Sequence, residues 1–570
     1  MRTYKITISI CVLIMLNSFS FAQTQTIGLF KNDTSKVFKG YTLFAPKQNT
    51  MTYLINNEGR IVHKWSASKF PPGQSVYLLE NGNLLRSCMT KGQLSSGGGE
   101  GGRIEEYNWN DSLVWSTDFS TATYMQHHDI KKLPNGNIIL LAIEKKTLAE
   151  VTAAGFNAAK FQPEIAAKGM MLPDYVAEIQ PTKPTGCTVV WEWHTWDHLI
   201  QNFDSTKLNY GIPKNHPELV DAAGDQKNLP AFWNHMNSID YHPVFDQIAL
   251  SVRGNSEVWI IDHSTTTAEA KSHAGGKRGK GGDLLYRWGN PICYGAGTAK
   301  DQRYFQQHHV EWIKPGYPGA GNMTCFNNGL GRGNYSSADE FKPAVDTSGN
   351  YTLTASSFTP TDFVWSYKGS AADSLYSENI SGAYRLPNGN TIICSGTVGK
   401  FIEVTSAGEI VWKYICPVDN RGPLTQGTLP LADSTHALEL MNSVFRVYKY
   451  PLDYSAFTGR DMTPGNFVEI YPSAVGDEVN RNSKSFELYQ NYPNPFNPST
   501  TINYKLPEAG YVSIKIFNTL GKEIKELVNG QQSAGEHSVN FSGEGLASGV
   551  YFYTVRAGEN YASRKMVLTK

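Results

Sequence analysis

A hairpin of two apolar strands, followed by a further strand ending in an aromatic, recurs along this chain and constrains its fold more than any other feature. The hairpin copies are SVYLLENGNLLRS from Ser75, HHDIKKLPNGNIILL from His127, NSIDYHPVFDQIALSV from Asn237, HHVEWIKPGYPGAGNMTCF from His308 and SGAYRLPNGNTIICSG from Ser381. The aromatic-ended copies run from Thr52 to Trp65, Arg103 to Trp115, Tyr175 to Trp193, Glu257 to Trp288, Phe363 to Tyr367 and Phe401 to Tyr414. Asn-Gly between alternating apolar runs signals a tight hairpin, for which we expect a primed turn with positive φ at both central residues. Repetition of one four-stranded antiparallel unit predicts an all-β chain whose residues 23–471 form a six-bladed β-propeller. The copy at Thr52 has no hairpin before it, so it should complete a last, irregular blade lying after Cys416. The tryptophans that end the outer strands, Trp65, Trp115, Trp191, Trp288 and Trp412, read as structural. So does the glycine run from Gly97 to Gly102, as a flexible loop.

Lysine plus arginine and aspartate plus glutamate both number 51, so charge points to neither nucleic acid nor an anionic membrane as partner. Arg2 and Lys5, the apolar run Ile6 to Leu16 and the small-x-small triplet Ser20-Phe21-Ala22 read as a signal peptide over 1–22. Disulfides are permitted among the remaining cysteines, 88, 187, 293, 325, 394 and 416, but their spacing selects no pairing and contains no CxxC zinc signature. The repeat stops near Tyr471, a polar linker covers 472–484, and residues 485–570 alternate like a small β-sandwich.

In a propeller the first strand of each blade lines the channel, and residues two apart share a face. Aligning those strands on their turns puts His128, Asn237, His308 and Ser381 at one position, with Gln126, His235, Gln306 and Asn379 two residues earlier. His127 and His309 then face the other way, and Arg253 stands at the end of the strand that returns from His235. No carboxylate falls in the ring, which argues against paired-acid glycoside hydrolysis and against calcium or magnesium. Three imidazoles could hold zinc or copper. An imidazole nucleophile among His, Asn and Arg donors also suits transfer of a compact oxyanion, and a single arginine favours a sulfate monoester over a phosphate dianion. A surface-displayed propeller that binds a sulfated or aromatic ligand without turnover is a third reading. His63, His198, His242, His263 and His273 have no partner at a matching repeat position and read as structural.

Taken together, QHHDIKKLPNGN, HMNSIDYHP with IALSVRGNSEVWIIDHS, GDLLYRWGNP and QHHVEWIKPGYPGAGNMTCFNNG resemble the bacterial arylsulfate sulfotransferase family over most of 52–451. The resemblance implies a propeller that moves a sulfuryl group from a phenolic sulfate ester to a phenolic acceptor through a sulfohistidine, with no cofactor and no phosphoadenosine phosphosulfate. The family's nucleophile falls on His308, and its sulfate-binding residues fall on His128, His235, Asn237 and Arg253. Register adds Gln306 and Ser381 as substrate-facing. One departure is His309, which stands where the family carries an acidic residue. YPNPFNPST, GVYFY and the terminal KMVLTK resemble the C-terminal sorting domain of the type IX secretion system over 485–570. That implies export through the periplasm and outer membrane, to the medium or the cell surface, with the secretion machinery as partner.

Overall fold

The computed structural model divides into two compact units, residues 1–470 and 471–570. It describes residues 25–570 apart from 91–93, 95–97, 223–228, 355–356, 372, 435–437, 472–485, 508, 520–521 and 559. The expected signal peptide at 1–22 and linker at 472–484 lie outside the described residues. No helix among the described residues is long and apolar enough to cross a membrane.

Among the described residues, the first unit is built on six antiparallel sheets of four or five strands. One joins Gly40–Phe44, Thr52–Ile55 and Ile61–Trp65 to Tyr448–Pro451, so its strands come from both ends of the unit. The second holds Pro72–Leu78, Leu84–Met89, Gly102–Tyr107 and Leu113–Asp118, and the third Tyr124–Lys132, Ile138–Glu144, Asp174–Pro181 and Cys187–His194. The fourth runs from Met236–His242 through Gln247–Val252 and Glu257–Asp262 to Tyr286–Trp288, and the fifth from His308–Trp312 through Met323–Asn327 and Ser337–Phe341 to Trp365–Tyr367. The sixth, Gly382–Arg385 to Ile410–Ile415, gains Gly28–Asn32 as an added edge strand.

Two sets of hydrogen bonds link these sheets in order. On the last strands, indole N–H groups donate to the following sheet's side of the chain: Trp65 to Asn108 O at 3.1 Å, Trp115 to Gly186 O at 2.9 Å, Trp191 to Thr265 Oγ1 at 3.1 Å and Trp288 to Pro360 O at 2.6 Å. Trp365 reaches Ser406 O at 2.9 Å, and Trp412 returns to Asn57 O, in the first sheet, at 2.8 Å. A buried indole retains its polar N–H, so each tryptophan supplies apolar area and one directional bond at once. On the first strands, a side chain accepts a backbone N–H from the next: Asp129 from Ile239, Ser238 from Val310, Asp240 from Trp312, His309 from Ala383 and Tyr450 from Leu78.

The tight hairpins differ from the expected primed type. In Leu133 to Asn137, the Gly136 N–H donates to Leu133 O and the Leu133 N–H to Asn137 O, and positive φ occurs at Gly136 but not at Asn135. The same bonds close Leu79 to Asn83 and Leu386 to Asn390. Proline at the first central position, in two of the three, fixes a negative φ, so the turn is of type I with glycine in the bulge position after it. Among the described residues the six cysteines form no disulfide, and five of them are buried.

The second unit contains a three-stranded sheet of Glu487–Leu488, Ser499–Leu506 and Gly535–Ser542. Its four-stranded sheet orders Glu523–Gln532, Gly510–Asn518, Gly549–Ala557 and Asn560–Leu568. Alternate residues of both, among them Ile502, Tyr504, Ile514, Ile516, Tyr553 and Met566, meet in one apolar core.

Candidate active site

The first strands begin irregularly. His128, His235, Gln306 and His309 all have φ between 48° and 58°, and pairing slips between Leu140 and Leu141, between Met236 and Ser238, and between His308 and Glu311. A bulge at that point re-aims the side chains and breaks the period of two. The imidazoles of His128 and His235 lie 5.1 Å apart between ring centres, and His235 stacks on Phe232 at 4.3 Å. His128 and His308 both face Phe445, at 6.0 and 6.4 Å. His128 and His308 are buried, whereas His235, Arg253 and Gln306 are half-buried.

All three imidazoles are held neutral. Burial is the largest cause of the depressed pKa in each; Arg253 comes next for His235 and His308, and His127 comes next for His128. Burial also lowers Arg253, to about 10, leaving it a cation at neutral pH. Its Nε is buried without a partner, and among the described residues the guanidinium forms no ion pair. An unpaired guanidinium beside neutral imidazoles is costly in an empty site and favourable once an anion is bound.

His308 has a defined tautomer. Asn328 donates its Nδ2 to Ser377 O at 2.8 Å and Ile380 O at 3.0 Å, so Oδ1 is left to accept from His308 Nδ1 at 2.7 Å. The lone pair therefore sits on Nε2, where the Ile380 N–H donates at 3.2 Å. His128 ends a second chain: its Nδ1 is 2.8 Å from His127 Nδ1, and His127 Nε2 lies 2.9 Å from Asp174 Oδ1, out of line for a good hydrogen bond. Over these rings passes Gly98-Gly99. Gly99 O accepts from the His128 N–H at 2.8 Å, and a Cβ on Gly99, at φ 69°, would fall 1.8 Å from His128 Cε1. The glycine run expected to be a flexible loop is, from Gly98 on, a fitted cover; Gly97 lies outside the described residues.

The remaining expected residues divide. Asn237 gives its Nδ2 to Gln307 O at 2.7 Å and keeps a buried, unpartnered Oδ1. Gln306 likewise has an unpartnered buried Oε1. Ser381 is consumed internally, donating to Ser377 Oγ at 2.8 Å and accepting from the Gly396 N–H at 2.9 Å. His127 is not turned away from His128, as strict alternation requires, because of the bulge. His309 accepts from the Ala383 N–H at 3.2 Å and contacts Glu311 Oε2 at 3.2 Å and Tyr448 Oη at 3.3 Å.

Residues 23–420 match the family model for arylsulfotransferase (ASST), and residues 490–569 match the secretion system C-terminal sorting domain. The chain belongs to the arylsulfotransferase family. That membership makes it a sulfotransferase-type enzyme, and the sorting domain marks it for export to the cell surface or beyond. No curated protein matches the chain. Among solved structures it is similar to a Bacteroides caccae protein of unknown function (11% identity, 72% of this chain and 99% of that one, TM-score 0.37). It is also similar to a putative 6-phosphogluconolactonase from Bacteroides fragilis (10% identity, 73% and 99% covered, TM-score 0.33). A third is PorZ, a surface component of the type IX secretion system of Porphyromonas gingivalis (11% identity, 92% and 50% covered, TM-score 0.19). Likenesses this slight bear on no chemistry.

Sequence reasoning about this arylsulfotransferase misses the residues standing behind the imidazoles. Asn328 follows the strand paired with His308 and could have been found as the polar residue leaving that hairpin. Arg446 has no such signal. It is buried against Asp129 Oδ2 at 2.8 Å, donates to Asn237 O at 3.1 Å and lies 4.4 Å over Phe445. Asp129, Asp174 and Glu311 supply the carboxylates that the aligned ring positions lack, one step behind them.

Proposed function

We propose that the six sheets are the blades of a propeller and that the channel end carrying His128, His235, Arg253 and His308 transfers sulfuryl groups between phenols. The two orders of sheet-to-sheet hydrogen bonds support the ring, since the sixth tryptophan returns to the first sheet. The observation that carries the chemistry is the unpaired Arg253 guanidinium beside a neutral His308 whose Nδ1–H is committed to Asn328. The sulfate of an aryl ester pairs with Arg253 and lies among His128, His235 and Asn237, with Gln306 at the rim. His308 Nε2 attacks sulfur, the S–O bond to the phenol breaks and the electron pair leaves with the phenolate. The Ile380 N–H, freed from Nε2, stays beside the sulfuryl oxygens. An acceptor phenol then gives its proton to a base and attacks sulfur, releasing His308.

His128 is the base we assign. The Asp174 carboxylate, 2.9 Å from His127 Nε2, favours the tautomer with its proton there by charge; His127 Nδ1 then accepts from His128 Nδ1–H and leaves His128 Nε2 bare. The same His128, protonated in the second step, returns its proton to the next departing phenolate. Incoming sulfate offsets Arg253 and thereby raises the imidazole pKa values that Arg253 depresses. We assign Ser381 a structural role. The second unit, a β-sandwich in this reading, engages the type IX machinery and does not take part in the chemistry.

Incubation with 4-nitrophenyl sulfate and a phenol tests the proposal. Wild type releases 4-nitrophenol, gains the mass of one sulfuryl group on His308, and passes it to the phenol without added metal. Equal release by His308→Ala refutes the nucleophile; tight binding of the ester with no mass gain leaves a ligand-binding protein.

A further inference from the structure

A second histidine cluster stands at the outer strands of the third and fourth sheets. His198 ends the short helix Thr195–His198 that follows Cys187–His194. It is fully buried and stacked on Trp193, with ring centres 5.7 Å apart and planes 6° from parallel. Trp193 is itself tied to Gly282 O at 2.6 Å. The stack fixes the ring, and Gly282 must lack a side chain, because a Cβ there would stand 2.5 Å from His198 Nε2 and 1.9 Å from Ala270 O.

Two acceptors flank the His198 ring. His198 Nε2 lies 2.8 Å from Ala270 O, an acceptor with no proton to give, so Nε2 carries a hydrogen and Nδ1 is the nitrogen able to offer a lone pair to a cation. Nδ1 faces Asp283 Oδ1 at 3.0 Å. His273 Nδ1 converges on the same oxygen at 2.7 Å. The three ligand atoms lie within 4.8 Å of one another. An imidazole whose far nitrogen donates to a backbone carbonyl is the arrangement that sets a metal-binding tautomer.

We propose that His198, His273 and Asp283 bind a divalent transition cation, zinc in the first instance. Two imidazoles and one carboxylate suit zinc, and bonds of about 2.0 Å at tetrahedral angles need ligand separations of about 3.3 Å, a few tenths wider than the two distances to Asp283 Oδ1. His273, with 61% of its side chain exposed, closes the site from the solvent side and leaves the fourth position to water. The ion clips residues 195–198 to 273–283, pinning the long insertion after the third sheet to the fourth. It stands apart from the imidazoles on the first strands.

The test uses the full chain, stripped with a chelator and titrated with zinc chloride while metal content and melting temperature are followed. Wild type should take up one equivalent and melt at higher temperature. His273→Ala removes an exposed ligand without opening the core, and Asp283→Asn keeps the shape of its side chain; each should weaken zinc binding roughly tenfold or more and abolish the melting shift. Cobalt should give the visible bands of a tetrahedral site in wild type and lose them in His273→Ala. Wild type that takes up no zinc at micromolar concentration overturns the proposal. So does tight binding retained by both variants, which would put the ion among His128, His235 and His308.

Discussion

Replacing Arg253 with methionine removes a site cation that, among the described residues, forms no hydrogen bond or ion pair, while keeping much of its apolar stem. The change takes from the protein only the longer-range attraction of Glu378, so folding stability should hold or rise. What is lost is a charge-assisted contact to the sulfate of about 1.5–3 kcal/mol, or roughly 10- to 150-fold in kcat/KM. A second consequence has a definite sign. Arg253 is, after burial, the largest cause that lowers the pKa of His308. Without it that pKa climbs, and a higher pH is needed to keep the nucleophile neutral. The acid limb of kcat/KM, which reports the free enzyme, should therefore move to higher pH. Arg253→Lys keeps the charge but not the fork, so its limb should stay near the wild-type position while affinity falls less. Release of 4-nitrophenol across a pH series measures both effects. An Arg253→Met enzyme with unchanged kcat/KM and an unmoved acid limb would show that no anion pairs with this residue.

Further substitutions separate orientation from structure. Asn328→Leu takes away the acceptor that keeps the proton on His308 Nδ1, and kcat should drop roughly tenfold or more with KM little changed; a KM effect alone would count against a positioning role. Asp174→Asn should slow transfer to the phenol more than the initial burst of 4-nitrophenol, because it acts on His128 through His127; equal slowing of both phases would remove the assignment of His128 as base. His309→Phe leaves the Ala383 N–H without its acceptor and takes from the Glu311 carboxylate its imidazole contact, leaving it the Lys131 charge, at about 1–3 kcal/mol in all. Chemical denaturation should register that loss, and an unchanged midpoint would mean that the cavity rearranges around the larger ring.

The period-two pattern and the Asn-Gly turns reveal most of the first strands, because both are local properties of the backbone. What they hide has physical causes. Pro134 and Pro387 hold φ negative at the first central turn residue, so Asn-Gly alone misleads about the turn type. Tyr448–Pro451 pairs with Gly40–Phe44 across nearly the whole unit and has no hairpin of its own, so Arg446 enters the site unannounced. The bulges at the strand starts matter more, since a left-handed residue reorients every side chain around it and no composition marks where it falls. They bring His127 onto His128 against simple alternation.

His309 shows what register does convey. Asp129, Ser238 and His309 each follow a ring position, and each accepts a backbone N–H from the next first strand. At the position where the resemblance implies an acidic residue, this chain thus holds a group with the one property this contact uses, a lone pair. Burial first, then Arg446, lowers the His309 pKa, which keeps Nδ1 free to accept while Glu311 and Tyr448 flank Nε2. His309 thus presents a neutral acceptor at a position that feels the Arg446 cation, while Glu311, two residues on, sets a carboxylate against its Nε2 at 3.2 Å.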